Sequence, residues 1–197
     1  MDLIKFHIDP SRKPKSGVLP TRRTSITCVD SVLIKLEQAT LIQNWINDRS
    51  NNTEQPKWKL LYRASHDGYG AKAFHSYCDN KGPTVTVVKC QGNSDLVGGY
   101  TPLSWKSDDR YHYDYQAQSF VFSLGHNNVL SRIKDTTQGA IYCASTCGPM
   151  FGIGWDLCIT GNCNNNNSSY SRKGNYEYAL PNSGNFRVND YEVFQIQ

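Results

Sequence analysis

Nowhere in its 197 residues does the sequence run to the roughly 18 consecutive apolar side chains that a membrane span requires. Met1-Asp2-Leu3-Ile4 is followed by Lys5, not by the apolar stretch of a secretory leader. A soluble chain in the cytoplasm is therefore the expectation. Regular cysteine spacing is also missing. The seven cysteines, at 28, 78, 90, 143, 147, 158 and 163, are odd in number and do not form a secreted disulfide framework, so free thiols are expected. The sequons beginning at Asn51, Asn166 and Asn167 then read as polar loops, because glycosylation requires secretion. The folded part also lacks an excess of charge. Residues 1–23 hold six basic side chains against two acids, which accounts for the whole formal charge of +4 and leaves the remainder balanced. Without a basic stripe, nucleic acid is excluded as a partner. Pro10, Pro14, Gly17 and Pro20 mark residues 1–30 as a basic flexible tail before a single domain over 31–197.

What is present reads mainly as strands. Leu41, Ile42, Trp45 and Ile46 recur at helical offsets and predict a short helix within Ser31–Asp48, followed by a polar loop over residues 47–55. A strand is expected at Trp58–Tyr62, a turn at His66-Asp67-Gly68, and a helix whose buried face carries Ala73, Phe74, Tyr77 and Cys78. Thr84–Val88 and Leu96–Tyr100 read as a hairpin. Further strands are expected at Ser119–Leu124, Ala140–Cys143, Leu157–Ile159 and Tyr191–Ile196, with a loop over Asn162–Tyr170. The fold class is mainly β with short helices (α+β), a two-sheet β-sandwich with helical additions.

Taken in order, several segments resemble the landmarks of a TLDc domain. They are Trp58-x-Leu60-Leu61-Tyr62, Ser65-x-Asp67-Gly68 with Phe74, Gly98-Gly99-Tyr100, Ser119-Phe120-Val121-Phe122-Ser123-Leu124, Gly148-Pro149-Met150-Phe151-Gly152 with Asp156-Leu157, and Asp190-Tyr191-Glu192-Val193-Phe194. The resemblance runs from about Ser31 to the C-terminus. Val18-Leu19-Pro20-Thr21-Arg22 is similar to the joint between BTB and TLDc domains in fungal proteins, implying the C-terminal portion of such a protein or a free-standing relative. The family implies a TLDc-type sandwich without a catalytic centre or cofactor, engaged in protein interaction, oxidative-stress resistance and regulation of the vacuolar proton ATPase. Ser65, Asp67, Gly68, Gly98, Gly99, Gln118, Ser119, Phe120, Gly152, Asp156 and Glu192 are the motif residues to which a structural or interaction role carries over. Gln118 departs from the pattern, since relatives often carry an acid there.

Searches for chemistry return little. Ser65-His66-Asp67 holds the residue types of a hydrolytic triad, but adjacent residues cannot converge on a substrate, and no G-x-S-x-G elbow is present. Asp67-Gly68 reads instead as a turn that caps the helix after it. Gly148, Gly152 and Gly154 lack the spacing of a phosphate loop. Cys143-x3-Cys147 and Cys158-x4-Cys163 have tolerable zinc spacing, yet Cys143 and Cys158 lie in apolar runs and read as buried small hydrophobes, so no metal is expected. Asp108 and Asp109 read as solvated acids. Cys78, three residues after His75, is the redox candidate under an alternative reading as a direct thiol antioxidant. A third reading, a lectin-like sandwich, would stack sugars on Tyr111, Tyr113 or Tyr115.

Overall fold

A computed structural model of the chain describes residues 26–48, 56–181 and 183–197. The basic segment 1–23, the similarity to the BTB joint and most of the 47–55 loop, including its sequon, lie outside the described residues. In chain order the elements are α1 (Leu36–Asn47), β1 (Trp58–Arg63), α2 (Ala64–Asp67), α3 (Ala71–Cys78), β2 (Thr84–Cys90), β3 (Leu96–Thr101), β4 (Tyr111–His112) and β5 (Phe120–Leu124). They continue with β6 (Val129–Arg132), β7 (Ile141–Tyr142), β8 (Cys147–Phe151), β9 (Leu157–Thr160), β10 (Ser169–Ser171), β11 (Gly184–Phe186) and β12 (Val188–Ile196). Two antiparallel six-stranded sheets result, ordered β1-β12-β2-β3-β5-β6 and β11-β10-β9-β8-β7-β4. No described helix is long and apolar enough to cross a membrane.

The first sheet is apolar on both faces, and this explains its sequence. On one face Val88, Val97, Val121, Tyr191 and Val193 join Phe151, Leu157 and Ile159 of the second sheet in the main core. On the other face Val85, Val87, Phe120, Phe122 and Phe194 pack with Ile42 and Ile46 of α1 in a separate cluster. Successive residues thus alternate between two apolar environments, and β2 reads as an unbroken β-branched run. Each of the two α1 isoleucines contributes about 1.5–3 kcal/mol by leaving water. Ile26 is buried in the same outer cluster.

The C-terminal strand is central. β12 pairs with β1 on one side and β2 on the other, so the last residues of the chain hold together two elements from its first half. The hairpin of β2 and β3 forms with Thr86 opposite Gly99 and Val87 opposite Gly98.

Several expectations need correction. His66-Asp67-Gly68 is not a simple turn: residues 64–67 form the one-turn helix α2, stopped by Gly68 at φ +97°. On α3 the buried face holds Phe74, His75 and Cys78, while Tyr77 is exposed. Gly148-Pro149-Met150-Phe151 is a strand, β8, with a register irregularity between Cys147 and Met150, and the Asn162–Tyr170 loop gives way to β10 at Ser169.

Candidate functional site

The motif residues at the two ends of the sequence meet at one junction. Glu192, on β12, is fully buried and accepts hydrogen bonds from the Ser31 hydroxyl, from Val32 N–H at 3.1 Å and from Arg63 Nε at 2.7 Å. Arg63 also reaches Asp30 at 3.3 Å, and Glu192 holds the guanidinium pKa above its ordinary value. Two residues along, Ser65 donates to Asp190 through its backbone N–H at 3.0 Å and its hydroxyl at 2.7 Å. These contacts tie the chain before α1, the end of β1 and the start of α2 onto β12.

Asp67 serves the same junction. Its carboxylate accepts Arg63 N–H at 2.8 Å and lies 2.7 Å from His66 Nδ1. Burial alone would raise its pKa, but the Arg63 N–H bond and the His66 contact outweigh it and hold the carboxyl below its usual range. Asp67 therefore caps the start of α2, the helix it belongs to, and not α3, whose N-cap is Gly70. The Tyr62 hydroxyl donates to the Gly68 carbonyl.

The remaining motif residues are packing devices of the sandwich. Gly98 and Gly99 allow close approach of neighbours: a β-carbon on Gly99 would lie 2.6 Å from the Phe151 ring. Gly152 takes φ +79°, and a β-carbon there would lie 2.1 Å from the Asp156 carboxylate. Asp156 accepts the N–H groups of Gly174, Asn175 and Tyr176 at 2.7–3.1 Å, which anchors the chain between β10 and β11. Burial pushes its carboxyl pKa upward against those bonds. Phe120 lies in the outer cluster.

A different region is built to face outward. Between β4 and β5 the chain places Tyr113 and Tyr115 on the surface, 42% and 75% exposed, with their rings stacked at 6.0 Å and 10°. Asp114 between them points inward, is 3% exposed, and accepts the N–H groups of Ser119 and Gln116. Ala117 donates to the Asp114 carbonyl at 3.1 Å and adopts φ +53°, and the Ser119 hydroxyl reaches Thr101 at 3.3 Å. Gln118 is half-buried at the end of this loop. The Asp114 bonds are local and the Ser119 hydroxyl ties the loop to β3, so the ring pair stands on a braced support. Tyr111 differs from its neighbours, being half-buried and packed on Tyr142 at 4.7 Å.

The thiols divide sharply. Cys78 is fully buried, and burial pushes its pKa far up, the reverse of what a reactive thiol requires. His75 does not pair with it: Nδ1 faces Asp79 at 2.8 Å and Nε2 faces the carbonyls of Ala144 and Cys147 at 2.9 and 3.0 Å. The four cysteines with zinc-like spacing do not converge. Cys163 belongs to the main core, whereas Cys147 and Cys158 share a small cluster on the second sheet. There, half-buried Cys147 is hydrogen-bonded to buried Cys158, with Thr146 and the Gly161 N–H adding further bonds and His75 nearby, and its pKa is lowered to about 6. Neighbouring residues 143 and 147 gave no hint that only the second would be accessible.

The two acids singled out in the sequence are engaged. Asp109 accepts Ser145 N–H at 2.8 Å and its hydroxyl at 3.1 Å. Asp108 places both carboxylate oxygens 3.1 Å from His112 Nε2. A shallow groove elsewhere is lined by Trp155, Tyr170, Arg172 and Asn185, with the Arg172 guanidinium 5.6 Å and 5.5 Å from the two ring centres.

No curated protein matches the chain. The model of the TLDc domain matches residues 28–197, a span that includes the Glu192 junction, the braced tyrosine loop and both sheets. With most of its length accounted for in this way, the chain belongs to the TLDc family.

Proposed function

We propose that this TLDc chain is a non-enzymatic protein-interaction module, with the Tyr113–Tyr115 loop as part of its contact surface. The observation that carries the reading is the stacked, exposed ring pair held by the inward-turned Asp114. Aromatic side chains dominate binding energy at protein interfaces, and a braced loop loses little freedom on docking. The family resemblance suggests the vacuolar proton ATPase as partner, a cytoplasmic setting, a role in oxidative-stress resistance and an association with BTB domains. The test is affinity capture of purified vacuolar ATPase subunits. Changing both Tyr113 and Tyr115 to Ala is expected to weaken capture by about 30-fold, the value of one interface hot spot of about 2 kcal/mol, with unchanged thermal stability. Equal capture by the double variant overturns this surface. Binding to a glycan panel that disappears in the same variant would replace the reading with a lectin-like one.

A second reading, direct thiol antioxidant, is favoured by the Cys147–Cys158 pair. The Cys147 thiolate would attack a peroxide, breaking the O–O bond and releasing an alcohol or water once protonated. The Cys158 thiol would then displace water from the sulfenic acid and close a disulfide, so that two thiols and one peroxide give a disulfide, the alcohol or water, and water. A separate dithiol reductant would restore the pair. In the native chain, alkylation at Cys147 is expected to rise to half its maximal rate near pH 6, where the thiolate forms, while Cys78 stays unmodified. Mass spectrometry of pulse-alkylated protein checks this. Peroxide consumption that survives Cys147→Ser would dismiss the pair as its source.

A further inference from the structure

Next to the tyrosine loop, three donors of different chemistry converge. Asp108 precedes β4, His112 four residues on is the last residue of that strand, and Cys143 follows β7, the strand with which β4 pairs. One carboxylate oxygen, one imidazole nitrogen and the thiol sulfur all lie within 4.8 Å of one another. Backbone bonds hold both segments: Cys143 N–H donates to the Arg110 carbonyl at 3.0 Å, Asp109 N–H to the Cys143 carbonyl at 2.9 Å, and Ala140 N–H to the His112 carbonyl at 2.8 Å. Cys143 is 1% exposed and forms the floor, whereas the side chains of His112 and Asp108 are 22% and 34% exposed and form the rim.

We propose that Asp108, His112 and Cys143 form a three-ligand site for a zinc-class divalent transition metal, with water in the fourth position. An Asp–His pair at this spacing is by itself an ordinary solvated contact. The buried sulfur beneath it makes the difference, because a surface ion pair needs no thiol at its foot. An oxygen, nitrogen and sulfur donor set suits zinc or cobalt(II), whereas calcium and magnesium take oxygen ligands. The 3.1 Å between His112 Nε2 and the carboxylate oxygens is close to the ligand–ligand edge of about 3.3 Å in a tetrahedral zinc site. The sulfur lies within 4.8 Å of both.

Binding exchanges the Cys143 S–H bond for a sulfur–metal bond and sends the proton to water. Burial, assisted by Asp108 and Asp79 and opposed by the Lys106 N–H and ammonium, pushes the thiol pKa up to about 12, so the thiol is protonated before metal arrives. Metal displaces such protons routinely. The proposal is independent of the partner reading and of the Cys147–Cys158 pair.

Cobalt(II) and zinc(II) test it directly on the purified full chain. Elemental analysis after dialysis is expected to show one zinc per chain, and cobalt loading to show thiolate charge-transfer absorption in the near ultraviolet. Cys143→Ser should abolish that band. His112→Gln, at a rim position that leaves the core intact, should weaken zinc at least about tenfold in competition with a chromophoric chelator. Cys147→Ser and Cys158→Ser should leave both readouts unchanged. Zinc well below one per chain, a band that survives Cys143→Ser, or unaltered affinity in His112→Gln would overturn the site.

Discussion

Replacing Glu192 by Ala is expected to cost about 3–5 kcal/mol of folding stability. The carboxylate is completely buried and receives Ser31, Val32 and Arg63 together. Removing it takes an acceptor from all three donors, including a guanidinium that is only 20% exposed and keeps Asp30 as a charged partner. For a domain of this size the loss corresponds to a fall in Tm of about 6–20 °C. Glu192→Gln keeps an acceptor for one donor but loses the charge, so its Tm should lie between those of Ala and wild type. Thermal unfolding followed by circular dichroism measures the series. A Glu192→Ala variant within about 2 °C of wild type would mean that the junction does not hold β1 and the chain before α1 onto β12.

Alanine at Gly98 should be nearly as damaging and at Gly99 less so, and the two should respond differently to relief. A β-carbon on Gly98 would sit 2.2 Å from the Thr86 carbonyl oxygen and 2.5 Å from the Phe122 ring. The first obstacle is backbone in the partner strand, so the hairpin itself must distort. A loss of about 3 kcal/mol is expected, with no side-chain substitution restoring it. At Gly99 the nearest obstacle is the Phe151 ring, with three of its atoms at 2.6–2.9 Å. Gly99→Ala should therefore cost about 1–3 kcal/mol, and Phe151→Leu should recover part of it by withdrawing the ring. A double-mutant cycle by urea unfolding reads the coupling. Simple additivity at Gly99, or rescue of Gly98→Ala by Phe122→Leu, would contradict the packing described.

Most elements were legible because their side chains carry a period. Leu41, Ile42, Trp45 and Ile46 gave the first helix, and the alternation in Tyr191–Ile196 gave a strand paired within a sheet. β4, β6, β10 and β11 were missed because they are two to four residues long and rich in polar side chains, too short for any period to emerge. β8 was obscured by Gly148 and Pro149, which ordinarily interrupt strands and here accompany a register irregularity. On α3 one member of the buried face was misjudged. Tyr77 resembles a core residue in sequence, but His75 is the one buried, satisfied by Asp79 and the carbonyls of Ala144 and Cys147, which no local pattern reveals.

Side-chain chemistry was harder to read than the fold. Spacing grouped Cys143 with Cys147 and Cys158 with Cys163, while the structure joins Cys147 to Cys158 and sets Cys143 beside Asp108 and His112. Strand pairing decides which thiols meet, and it does not follow separation along the chain. The tyrosine cluster was visible, but its division into packed Tyr111 and exposed Tyr113 and Tyr115 depends on Asp114 turning inward.

By itself the sequence determined a mainly β fold with short helices, free of an apolar span, with a balanced folded part and TLDc landmarks in order. These depend on composition and local periodicity, which survive without knowledge of neighbours. Only the tertiary structure decided that the first sheet is covered on both faces, that Glu192 binds segments from the opposite end of the chain, and that Asp108, His112 and Cys143 share one point. The reason is that antiparallel pairing brings together residues more than a hundred positions apart, and burial and hydrogen bonding act on distance in space, whatever the distance in sequence.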